Sequence, residues 1–159
     1  MWYKTSSQFD KDLINIDLSE IQIDPESNHP FGTIKAFIND KYLGYIDFEI
    51  ETENNSVHVT NIYVFPENQN QKIAQLLYKA VIDYSKQILN NSQLTIKGDI
   101  EHPAALKARA NAVEQAGGKA EPSKITAPPK SETPNNLQEA LEYYKNPRNF
   151  KLLNIEHII

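Results

Sequence analysis

Six residues, Gln69-Asn70-Gln71-Lys72-Ile73-Ala74, sit where a polar loop gives way to an apolar helical pattern. From there Ile73, Leu76, Leu77, Ala80, Val81, Tyr84 and Ile88 recur at helical spacing. The first turn of such a helix offers about four unpaired N–H groups and roughly half a positive charge. That is a ready site for a pyrophosphate. Lys72 opposes the helix dipole by roughly a few tenths of a kcal/mol, and a bound anion would reverse that sign. A solvated lysine on an ordinary helix gives the same pattern, so the residues alone leave both readings open.

Other constellations carry less chemistry. Asp47, Glu49, Glu51 and Glu53 form an acidic row that either attracts a cationic amine or is a solvated strand face. His29, His58, His102 and His157 lack metal-ligand spacing, and no HExxH motif occurs. Asp99, Glu101 and His102 read as an exposed loop cluster at a strand end, and Lys107 and Arg109 as the solvent side of a helix. Ser6, Ser7 and Ser92 have no nucleophile-elbow context. Cysteine is absent, which excludes disulfide frameworks, thiolate zinc sites, iron–sulfur clusters and cysteine nucleophiles.

The elements that would position these residues are legible in outline. Ile14 to Ile23 alternates, then shifts parity near Ser19-Glu20, which predicts a bulge or bend. Pro25 to Pro30 is a loop, Thr33 to Ile38 a second strand, Asn39-Asp40-Lys41 a hairpin turn, and Leu43 to Glu51 a third strand. Val57 to Val64 is a fourth strand whose apolar parity switches at Thr60-Asn61, so a bulge there should splay it from a neighbour. After the helix, which stops at Asn90-Asn91-Ser92, Gln93 to Lys97 is a short strand reached by a right-handed crossover. Pro103 opens a second helix that ends at Gly117-Gly118. Residues 1–118 form the core, and 119–134, with Pro122, Pro128, Pro129 and Pro134, a linker or loop. Residues 135–159 supply a short helix to Lys145 and a last strand from Phe150.

The chain of 159 residues suits one domain with its own core. Sixteen Lys and Arg against twenty-one Asp and Glu argue against a broad nucleic-acid-binding face. The start, Met1-Trp2-Tyr3-Lys4, has no apolar signal-peptide region, and no stretch approaches the ~20 apolar residues of a membrane span. The expectation is a cytoplasmic protein without membrane or nucleic-acid partners.

The order of strands and helices, with Gln69 and Ala74 bracketing the loop and Tyr63-Val64-Phe65-Pro66-Glu67 before it, resembles the GNAT superfamily of N-acetyltransferases. The resemblance is clearest from Val57 to Gly117. The family motif is Gln/Arg-x-x-Gly-x-Gly/Ala, and Lys72 stands at its first glycine, so this is a degenerate acyl-CoA loop. The resemblance implies an α/β (α+β) fold with a mixed, mainly antiparallel sheet, flanking helices and a bulged fourth strand. It implies acetyl-CoA as cosubstrate, with Gln69, Asn70, Gln71, Lys72, Ile73 and Ala74 at the pyrophosphate and the backbone of Ile62, Tyr63 and Val64 at the pantetheine arm.

Some family members carry a base glutamate eleven residues before the loop Gln/Arg, a position His58 holds here. An imidazole with its ordinary pKa of about 6.5 can serve as base at neutral pH. The family's general-acid tyrosine, four residues before the glycine that ends the next helix, is replaced by Val113 or Glu114. The helices that the family puts between its first two strands, shaping the acceptor pocket, are replaced by Asp24 to Gly32. Two functions follow: acyl transfer from CoA to an amine-bearing small molecule or protein lysine, or a non-catalytic GNAT-like module that docks a protein through residues 135–159.

Overall fold

Alternating apolar residues make the first half of the chain a meander. In a computed structural model, which describes residues 13–69, 72–90, 93–146 and 152–159, it comprises β1 (Ile14–Ile23), β2 (Pro30–Ile38), β3 (Lys41–Glu51) and β4 (Ser56–Val64). There follow α1 (Ile73–Leu89), β5 (Thr95–Ile100), α2 (Pro103–Gln115), β6 (Lys124–Thr126), α3 (Leu137–Tyr143) and β7 (Leu153–Ile158). They form one mixed seven-stranded sheet in the order β1-β2-β3-β4-β5-β7-β6, antiparallel except where β4 meets β5. No helix among the described residues is long and apolar enough to cross a membrane.

Both parity shifts in the sequence are bulges. The β1–β2 register slips between Asp17 and Glu20, where the Ser19 amide donates to the Asp17 carboxylate. The β3–β4 register slips between Asp47 and Phe48, which face Asn61 and Val59 and leave Thr60 as the extra residue. The β5 strand begins at Thr95, later than Gln93, and Leu94 continues its pairing with β7 by exchanging backbone hydrogen bonds with Ile159. The segment 119–134 also carries β6, which pairs with β7 at the sheet edge. Residues 147–151, including the expected strand start at Phe150, lie outside the described set.

All three helices lie on one face of the sheet. Ile34 opposite Ile46, Phe48 opposite Val59 and Ile50 opposite Val57 turn the same way and pack on Ile73, Leu77, Val81 and Ile82 of α1. Further along the sheet, Ile100, Leu153 and Ile155 pack on Leu106 of α2 and Ala140 of α3. Each fully buried aliphatic side chain contributes roughly 2 kcal/mol. The opposite face carries Thr33, Lys35, Tyr45, Asp47, Glu49, Asn61 and Tyr63, and no described helix covers it.

The helices start differently. His102 caps α2 by accepting the Ala104 amide at 3.0 Å, with Pro103 in the first turn, and Asn136 caps α3 by accepting the Glu139 amide at 2.9 Å. The Lys72 side chain at the start of α1 does not cap it, and the first turn holds no acidic residue.

Candidate functional site

Strands β4 and β5 run together only from Ser56 to His58, paired with Thr95 to Lys97. Beyond that they diverge, and the β5-facing edge of Ile62, Tyr63 and Val64 has no ladder partner in β5. Gly98 marks the parting. A Cβ there would lie 2.2 Å from the Val59 carbonyl oxygen, so only glycine lets the strands approach this closely. The Thr60 bulge then turns β4 away, which opens a fork in the sheet.

The expected site residues distribute around this fork. His58 is the last β4 residue paired with β5, opposite Glu49 on one side and Lys97 on the other, on the helix-free face. Ile62 and Val64 turn toward the core, whereas Tyr63 turns to the helix-free face and is 43% exposed. Gln69 donates from its side-chain amide to the Val64 carbonyl at 3.2 Å, which ties the loop to the free edge of β4. Asn68, fully buried just before it, donates to the Leu43 carbonyl, and its own side-chain oxygen has no partner among the described residues. Asn70 and Gln71 lie outside the described residues.

Lys72 is exposed and occupies the N-cap position of α1 with φ 60° and ψ 24°. This left-handed conformation costs a non-glycine residue roughly 1–2 kcal/mol. Lys72 thus holds a backbone geometry that glycine adopts freely. Ile73 is buried in the core and Ala74 packs partly against it, so both offer only backbone to a ligand. A first turn that its N-cap residue leaves uncapped, free of carboxylates and headed by a lysine, is a donor set that suits an anion such as the pyrophosphate of CoA.

The helix-free face is acidic and partly self-neutralised. Glu51 accepts from Lys97 at 2.9 Å, and this hydrogen bond holds its carboxyl below the usual range. Lys35 pairs with Glu20. His29 lies between Glu53, at 2.6 Å, and Glu49, at 3.3 Å; hydrogen bonding to Glu53 and then to Glu49 raises its pKa. Asp47 accepts the Thr33 hydroxyl at 2.6 Å.

Arg109 is a residue that the sequence reading placed on the solvent side, and it is fully buried instead. Its guanidinium donates to the Ile155 carbonyl at 2.6 Å and to the Gly98 carbonyl at 3.4 Å, and lies 5.5 Å from the Tyr78 ring. Lys107 does point outward. The cue was the helical interval from Leu106 through Arg109 to Ala110 and Val113, which sets Arg109 on the buried stripe. No group of three or more metal-ligating side chains occurs among the described residues.

Comparison with known proteins supplies the context. The family model described as Acetyltransferase (GNAT) family matches residues 2–107. Among solved structures, the spermidine N-acetyltransferase of Vibrio cholerae, in complex with CoA and spermine, superimposes with a TM-score of 0.50 at 17% identity, covering 85% of this chain and 67% of that one. The ribosomal-protein-S18-alanine N-acetyltransferase of Escherichia coli gives 0.50 at 15% identity, covering 81% and 68%. An N-acetyltransferase from Staphylococcus aureus Mu50 gives 0.51 at 13%, covering 81% and 67%. The chain thus spans about two thirds of these proteins' length, and at such identities the likeness is one of fold. No curated protein matches the chain significantly.

Proposed function

This chain belongs to the GNAT acetyltransferase family, and from that membership we propose that it transfers an acyl group from a CoA thioester to an amine. The observation that carries the proposal is the fork between β4 and β5 beside the uncapped start of α1. In this reading the loop from Gln69 to Ala74, with Lys72 as its cation, holds the pyrophosphate. The backbone of Ile62, Tyr63 and Val64 pairs with the pantetheine arm. The cosubstrate, acetyl-CoA or a related thioester, brings an acyl group already activated for attack.

An ammonium must lose a proton before its nitrogen can attack a carbonyl. We assign that proton to His58. It stands, half-buried, at the base of the fork on the face away from the helices. The leaving thiolate takes its proton from solvent, since Val113 is buried in the core where the family's tyrosine would stand and Glu114 is exposed. The lack of cysteine fits a reducing compartment, and the cytoplasm is the setting of this reading.

The test is thiol release from acetyl-CoA in the presence of an amine panel, with His58→Ala beside wild type. The reading expects amine-dependent release and a loss of about a hundredfold or more in the variant. Unchanged turnover in the variant would retire His58 as base. A second reading, a non-catalytic module that binds a protein through its C-terminal segment, is favoured by one observation, the replacement of the motif glycine by Lys72. It requires no thiol release with any amine.

A further inference from the structure

We propose that the helix-free face of the sheet docks the acceptor, and that the acceptor is a small linear oligoamine with two or more ammonium groups, one end at the Thr60 bulge. The inference rests on the acyl-transfer reading and names the chemical class of its amine.

Among the described residues no helix covers the face, because the chain between β1 and β2, residues 24–29, is too short to hold one. Its aromatic residues remain partly bare, with Phe31 37% and Tyr63 43% exposed. A cleft of about 690 Å³ crosses it, from Glu20 and Asp24 at the β1 end, past Phe31, Asp47 and Glu49, to Thr60. That volume is on the scale of small-molecule sites. Its far end is the bulge beside which β4 and β5 part, so the cleft leads to the place where acyl transfer would occur.

Charge selects the occupant. Three basic groups on the face are already engaged: Lys35 with Glu20, Lys97 with Glu51, and His29 with Glu49 and Glu53. Among the described residues Asp47 accepts a neutral hydroxyl, and Asp24 a backbone amide. The carboxylates therefore outnumber the cations that could neutralise them. A second copy of this chain seated here would set acid against acid, and a phosphate-bearing partner would be repelled. An oligoamine supplies the missing charge at intervals along the strand. Its methylenes suit the adjoining rings, where Tyr45 and Tyr63 lie 6.2 Å apart and Tyr63 and Phe65 5.5 Å apart. Exposed tyrosine faces also attract ammonium groups.

The test is calorimetry with bis(3-aminopropyl)amine, butylamine and a lysine-rich peptide, on wild type and on an Asp47→Asn, Glu49→Gln double variant. The triamine should bind at least tenfold tighter than butylamine, and the variant should lose at least tenfold for the triamine while its acetyl-CoA affinity is unchanged. Equal affinity for triamine and monoamine, or an unaffected variant, overturns the proposal. Tighter binding of the peptide overturns the small-molecule assignment. Should the variant fail to fold, a salt titration of wild type decides: triamine affinity that does not fall between about 0.05 and 0.5 M salt is incompatible with charge-driven docking. Triamine binding without acetyl-CoA binding would sink the acyl-transfer reading and spare the docking surface; the converse would do the opposite.

Discussion

Gly98 and Val59 pinch the sheet at the point from which it opens: a Cβ on Gly98 would meet the Val59 carbonyl oxygen at 2.2 Å. Gly98 also holds φ +142°, where L side chains are strained. The fork is therefore closed at one end by a glycine and opened at the other by the Thr60 bulge. Gly98→Ala should cost about 3 kcal/mol, from overpacking and backbone strain together. Chemical denaturation measures this, and a loss below about 1 kcal/mol would mean that the two strands part without the glycine's help.

Lys72 at φ 60° carries strain that glycine would relieve. Lys72→Gly should raise stability by up to about 1 kcal/mol. It should also weaken acetyl-CoA binding by as much as about fivefold, because a cation near the pyrophosphate is lost. Thermal melting and calorimetry on the same variant separate the two effects. A gain in both stability and affinity would make Lys72 an impediment rather than a contact.

Arg109 is buried without a carboxylate partner, and its Nε has no acceptor among the described residues. It is retained by the Ile155 and Gly98 carbonyls and the Tyr78 ring. Arg109→Ala leaves a cavity and strips donors from those carbonyls, so it should cost about 3–5 kcal/mol. Urea denaturation reads the loss, and a value near zero would contradict the buried position.

His157 donates from Nε2 to the Ala120 carbonyl at 3.0 Å, and its Nδ1 has no partner among the described residues. Burial first, and then the Arg109 charge, push its pKa from 6.5 down to about 4. The unfolded chain takes up the proton near the ordinary value while the folded chain resists it. Stability from this group is full above about pH 6.5 and is lost as pH falls toward about 4, by on the order of 3 kcal/mol in total. Stability measured across that window should fall in wild type, with a shallower slope in His157→Gln. Equal slopes would exclude His157 as the source.

Alternation carried the meander into view, and the parity shifts at Ser19-Glu20 and Thr60-Asn61 carried two of its three register shifts, because one extra residue inverts every side chain beyond it; the third, between Ala36 and Phe37 in the β2–β3 pairing, was not read. The loop proposed to bind an anion was visible as a polar run before a helical stripe. What single residues could not reveal was contact between distant segments. Gly98 reads as an ordinary glycine until Val59 lies against it. His29 reads as a loop histidine until Glu49 and Glu53 arrive from β3 and the turn after it. Arg109 was misread because a charged side chain was weighed above the helical interval that buries it. The acidic row gained meaning only when the topology left its face of the sheet uncovered.

The measurement closest to the central claim is calorimetric titration with acetyl-CoA, with desulfo-CoA and ATP as controls. Micromolar binding of acetyl-CoA and of desulfo-CoA, and much weaker binding of ATP, is the predicted result: it would mean that the Lys72 loop holds a pyrophosphate and the fork accepts the pantetheine arm. No binding at millimolar acetyl-CoA would contradict the account and leave a GNAT fold without its cosubstrate.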